Sequence, residues 1–164
     1  MKRVLIGVLI GVLTVALGLA VWFGVEAASL RPGDNAALVD SAATDQVVAE
    51  VGDAVKAVFS YDYANFARTE RAASSLLTGD AVGQYAAQFA SARQRASAEK
   101  LVRTTTVRAI GVRTLHGDDA SLLLFVDQQT IGPTGAAPQS SVAQLSVTAR
   151  RIDGHWKLSS LTAL

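Results

Sequence analysis

Three hydrophobic rhythms divide the chain. Val4 through Val25 is apolar and carries no charge, the apolar positions from about 36 to 96 recur at helical spacing, and beyond Leu101 they alternate with a period of two. The first stretch, about 22 residues, makes a helix of about 33 Å, enough for a hydrocarbon core of about 30 Å. Fourteen of its residues are Val, Leu, Ile or Phe, the side chains that most favour insertion. Lys2 and Arg3 precede it and the first charge after it is Glu26, so the positive-inside rule keeps the N-terminus cytoplasmic and exports the rest. The rival reading is a signal peptide cleaved near Ala27-Ala28-Ser29, but such peptides carry an apolar region of about 7–15 residues. The expected organisation is a cytoplasmic N-terminus and transmembrane anchor over 1–28, a linker over 29–35 around Pro32 and Gly33, and an exported α+β domain over 36–164.

Within that domain a first helix is expected over about 36–59, with Val47, Val48, Val51, Val55, Val58 and Phe59 on one stripe. Asn35 and Asp40 are among its candidate caps, and Gly52 marks a close backbone contact. Ser60 through Phe66 breaks the pattern with clustered aromatics. A second helix runs from Asn65 to about Leu77, and Gly79 and Asp80 end it and cap the third, whose stripe is Val82, Tyr85, Phe89, Ala92 and Ala96.

Four antiparallel strands then follow. Thr104–Leu115 and Ala120–Thr130 flank a turn at Gly117-Asp118, which puts Ile110 opposite Phe125, Val112 opposite Leu123 and Arg108 opposite Asp127. The run Leu122–Val126 reads as a strand buried on both faces. Val142–Ile152 alternates, and Asp153-Gly154 predicts a type I′ hairpin with Arg151 opposite Trp156 and Ala149 opposite Leu158. Ile110, Val112, Leu123 and Phe125 form a candidate partner interface, because three helices cover only one face of a sheet.

Charge and composition narrow the chemistry. The chain has 15 Lys+Arg against 14 Asp+Glu, and setting aside Lys2 and Arg3 leaves the exported part near neutral, which argues against nucleic acid. There is no cysteine and there are only two histidines, so thiol chemistry is excluded and a His/Cys zinc site is not expected. No cofactor motif is present. Gly7 and Gly11 match the small-residue spacing that lets membrane helices approach, a route to a homo-oligomer.

Three helices followed by four strands resembles the cone-shaped fold of the nuclear-transport-factor-2-like superfamily. The Leu76-Leu77-Thr78-Gly79-Asp80 junction with Gln84-Tyr85, the segment Leu124 to Thr130, and the ending Arg151-Ile152-Asp153-Gly154-His155-Trp156-Lys157-Leu158 behind one N-terminal anchor resemble the Mce-associated membrane proteins of actinobacteria. The resemblance implies a non-enzymatic accessory subunit that stabilises an Mce complex importing lipids or sterols across the envelope. It implies no catalytic residue. Two other functions are open: a binder of small apolar ligands inside the cone, and a ketosteroid-isomerase-like enzyme. The enzyme needs a carboxylate in an apolar cavity beside an oxyanion donor, for which Asp127 with Tyr61 or Tyr63 is the only nomination.

Overall fold

Asp40, not the start of the apolar stripe, fixes where the first long helix begins. The computed structural model describes residues 35–133 and 137–164. The predicted anchor and all of the linker before Asn35 lie outside them, and no helix among the described residues is long and apolar enough to cross a membrane. The helix expected over 36–59 is split. Ala36–Leu38 forms a short 3-10 turn, and the Asp40 carboxylate accepts from the Ala43 N–H to cap α1, Ser41–Phe59. Asn35 holds the 3-10 turn by accepting from Ala37, and it also accepts from Leu115 N–H and donates to Arg113 C=O on a strand far along the chain.

The remaining elements are β1 (Tyr61–Asp62), α2 (Phe66–Leu76), α3 (Asp80–Glu99), β2 (Val102–His116), β3 (Asp119–Ile131), β4 (Gln139–Ile152) and β5 (His155–Ala163). Three helices lie on a five-stranded antiparallel sheet in the order β1-β2-β3-β4-β5. The fifth strand corrects the expectation of four. β1 is only two residues, too short for any periodicity, and it sits in the stretch read as a connection; it pairs Tyr61 with Arg103 and Asp62 with Val102.

Gly79 is corrected too: it precedes α3 as its N-cap with φ +53°, and Asp80 is the first helical residue. The backbone turns there because the Thr78 N–H is donated to Leu158 C=O on β5, a tertiary bond with no local signature. On α3 the inward stripe starts at Ala81 rather than Val82, which is half exposed.

The core lies between α1 and one face of the sheet. Val47, Val51, Val55 and Val58 meet Leu115, Leu122, Leu124, Val126, Val147 and Leu158, all within 2% of complete burial. α1 is tied to β2 at its C-terminal end, where Thr105 donates its hydroxyl to Phe59 C=O and its N–H to Ser60 Oγ.

Two bulges set the β2–β3 register. The turn begins as expected, with His116 opposite Asp119, but Arg113 and then Arg108 are extra residues on β2. Ile110 therefore faces Leu124, Val112 faces Leu122, and Phe125 faces Ala109. Arg108 still reaches Asp127 with an ion pair, from the bulge itself. β3 is buried on one face only: Leu122, Leu124 and Val126 are inside, whereas Phe125 is 46% exposed on the other side. The bulges also divide the expected interface set, because Ile110 and Val112 pack against the core while Leu123 and Phe125 lie on the outer face. The β4–β5 hairpin follows its predicted register from the turn to Ala149 and Leu158, with positive φ at both Asp153 and Gly154, and a bulge at Ser159 then shifts the pairing by one.

β5 is an edge strand whose outward backbone groups are met by side chains of α1 and α3 and by the backbone of the connection between α2 and α3. Glu50 of α1 accepts from Trp156 N–H at 2.8 Å, Gln84 of α3 accepts from Leu161 N–H at 2.7 Å, and Leu158 C=O takes the Thr78 N–H. Such cover closes the edge to strand addition.

Candidate functional site

β1 is placed by its pairing with β2, and this puts Tyr61 beside Arg103. The Tyr61 ring is buried; the Arg103 guanidinium carbon lies 5.1 Å from its centroid. Arg103 Nε donates to Thr130 Oγ1 of β3 at 3.1 Å. The stack and the hydrogen bond fix the plane of the guanidinium.

Arg103 borders a cavity of about 240 Å³ between the C-terminal end of α1, α3 and the inner face of the sheet. Its walls are mostly apolar, with Phe59, Phe89, Leu145 and Ala163 among them, and Gln88 and Gln128 supply amides. A second cavity of about 260 Å³ adjoins it, sharing Tyr61, Ala92 and Arg103. The apolar wall is built from aromatic contacts: Tyr85 stacks on Phe89 at 4.9 Å, and Phe59 meets Tyr85 edge-on at 6.4 Å. The Tyr85 hydroxyl is buried with no hydrogen-bond partner among the described residues. Burial, and after it the nearby Glu70 carboxylate, pushes its pKa well above the ordinary tyrosine value, so it stays a neutral phenol.

An apolar groove of about 550 Å³ runs between α2 and α3 on the other side of Tyr85 and Phe89, with Val82 and Ala86 in its wall and the Glu70–Arg93 ion pair at its rim. Among the described residues no three or more His, Cys, Asp or Glu side chains are grouped to hold a metal ion.

Of the predicted pocket residues, only Tyr61 reaches the cavity. Tyr63 is 41% exposed, beyond the end of β1. Asp127 lies on the outer face, because it is one residue out of phase with Val126 and Gln128, and it is held there by Arg108. Tyr61, Tyr63 and Asp127 are thus not brought together. Arg103, Gln128 and Thr130 were missed. The available signal was phase: Arg103 shares its side of β2 with Thr105, whose buried side chain marks that side as inward. What the cavity can do is bind: it combines apolar walls with one cation, neutral amides and phenols.

No family model matches the chain. Two uncharacterized proteins from strains of Mycobacterium tuberculosis, MT1407 and Rv1362c, are each 30% identical to it over 157 residues, which is 94% of this chain and 69% of theirs. Solved structures share the fold at low identity. An IcmL-like type IV secretion system protein from Legionella pneumophila superposes with a TM-score of 0.64 at 12% identity, covering 73% of this chain and 91% of that one. CagV, a VirB8 homolog from Helicobacter pylori, gives 0.61 at 12% identity over 73% and 96%. A nuclear transport factor 2-like superfamily protein from Salmonella enterica gives 0.53 at 14% identity over 74% and 92%.

Proposed function

We propose that this chain, which belongs to the same family as the uncharacterized Mycobacterium tuberculosis protein Rv1362c, is a membrane-anchored, non-enzymatic subunit that stabilises an envelope transport assembly of the Mce type, importing lipids or sterols. The observation that carries this reading is the outer face of the sheet. Phe125 lies exposed there opposite Ala109, beside the half-buried Leu123 opposite Gly111, and Val142, opposite Asp127 on β4, is 81% exposed on the same face. The sheet's exposed large apolar side chains, Phe125, Ile131 and Val142, lie on this face. The fold supports the reading by analogy, since it is shared with the periplasmic domain of DotI and a periplasmic fragment of TraM. The outward position of Asp127 supports the non-enzymatic reading, because among the described residues it leaves the cavity lining without the carboxylate that isomerase chemistry needs. The chain is placed in the cell membrane with its N-terminus cytoplasmic and residues 36–164 outside, on the strength of Lys2, Arg3 and the apolar run after them.

Purification of the tagged full chain from membranes tests the reading. Mce subunits should co-purify with the wild type and be lost with Phe125→Glu, at unchanged abundance of the variant. Recovery of the same partners with Phe125→Glu removes the outer face from the argument. Recovery of no transport subunit with the wild type removes the assembly.

A further inference from the structure

Arg103 is out of place for a structural arginine. It is half-buried, it is in no ion pair among the described residues, and with Tyr61 it borders the two adjoining cavities described above and a third, of about 570 Å³, beside α1 and α2. Its Nε is used by Thr130, and its plane is set against Tyr61. That leaves the Nη1/Nη2 edge of the fork, with no protein acceptor among the described residues. A guanidinium held in plane matches the two oxygens of a carboxylate. Partly removed from water, its field is screened less than that of an exposed cation. Beside it lies the 240 Å³ cavity walled by Phe59, Phe89, Leu145 and Ala163.

We propose that this cavity binds a free amphiphile with a carboxylate head and a medium-length apolar chain, the head on Arg103 and the chain between α3 and the sheet. The charge decides the head, because a neutral amphiphile would leave the cation unpaired next to an apolar wall. The size decides the chain, because about 240 Å³ lies below the usual span of ligand pockets, about 300–1,000 Å³, and suits a short or medium chain over a full-length lipid. Gln88 and Gln128 line the cavity and carry amide donors for the lone pairs of the carboxylate that Arg103 leaves free. The site lies on the inner face of the sheet and is independent of the partner surface at Leu123 and Phe125.

The test uses the full chain in phosphatidylcholine nanodiscs, with the methyl groups of Leu145 and Ala163 observed by NMR and decanoate as the probe. Decanoate should shift both methyls saturably. Decanol, with the same chain and no charge, should bind roughly ten- to hundredfold more weakly, the range of a lost charge-assisted contact. Arg103→Gln should weaken decanoate by the same factor and leave decanol unchanged. Should Arg103→Gln fail to fold, Ala163→Trp decides instead: it fills the cavity and leaves Arg103 in place, and it should abolish the Leu145 shift. The proposal is overturned if decanol binds as tightly as decanoate, if either folded variant binds decanoate like the wild type, or if no saturable shift occurs. It is also overturned if phosphatidylglycerol in the disc moves the same methyls without decanoate, which would make a membrane lipid headgroup the occupant.

Discussion

Glu50 and Trp156 are 106 residues apart, and the carboxylate of the first accepts the backbone N–H of the second at 2.8 Å. The bond joins the middle of α1 to the start of the edge strand β5. Gln46 donates to the same carboxylate from one turn earlier on α1, and His155 Nδ1 stands 3.8 Å away. Burial pushes the Glu50 pKa up, but the Trp156 and Gln46 hydrogen bonds and the charges of His155 and Arg151 outweigh it, and the pKa is lowered.

A lowered carboxylate pKa gives stability that is present above the unfolded value, about 4.3, and lost as pH falls through the folded one. The wild type should therefore lose stability on acidification below about pH 4.3 more steeply than Glu50→Gln, whose side chain does not titrate. Glu50→Ala should cost about 1–3 kcal/mol at neutral pH, since it strands the Trp156 N–H. Denaturant melts from pH 3 to pH 7, compared across the three proteins, check both; parallel pH profiles for wild type and Glu50→Gln would refute the linkage.

Two glycines should respond with opposite signs. Gly79 has φ +53°, and a Cβ there would come within 3.2 Å of the Ser159 carbonyl oxygen. Gly79→Ala should destabilise by about 1–3 kcal/mol. Gly52 was expected to mark a close contact, but a Cβ added to it meets nothing within 4 Å. Gly52→Ala should stabilise by about 1 kcal/mol, the helix-propensity difference. Thermal melts measure both, and a stabilised Gly79→Ala would contradict the backbone argument.

The Tyr85 hydroxyl is buried without a partner among the described residues. Tyr85→Phe keeps the ring that stacks on Phe89 and removes a desolvated polar atom, so it should raise stability, by about 1 kcal/mol or more. A loss of stability on the same thermal melts would mean that the hydroxyl has a bond to lose.

Asp127→Asn should change little. The Arg108–Asp127 pair is on the outer face, with the arginine side chain 69% exposed, and exposed pairs contribute under about 1 kcal/mol. Co-purification of transport subunits with the variant should match the wild type. Their loss from a folded, normally abundant Asp127→Asn would give Asp127 a role beyond this pair.

What the sequence determined by itself is what local periodicity and local turn chemistry control. The Val47-to-Val58 stripe fixed the buried face of α1, and Asp153-Gly154 fixed the β4–β5 register as far as Ala149 and Leu158, because a two-residue turn that tolerates positive φ sets the pairing of the residues beside it; beyond them a bulge at Ser159 shifts it by one. The order of three helices and a sheet followed from where the period changes, at Leu101. Tertiary structure decided the rest. β1 exists only because Tyr61 and Asp62 find Val102 and Arg103, some 40 residues later. The bulges at Arg113 and Arg108 change the β2–β3 register without altering the turn, so an alternation argument carried straight through them put Ile110 and Val112 on the same face as Phe125. The cavity depends on the same long-range placement. Arg103 is one of several arginines along the chain, and only the closing of β1 on β2 and of α3 over the sheet sets it beside Tyr61, Thr130 and an apolar wall.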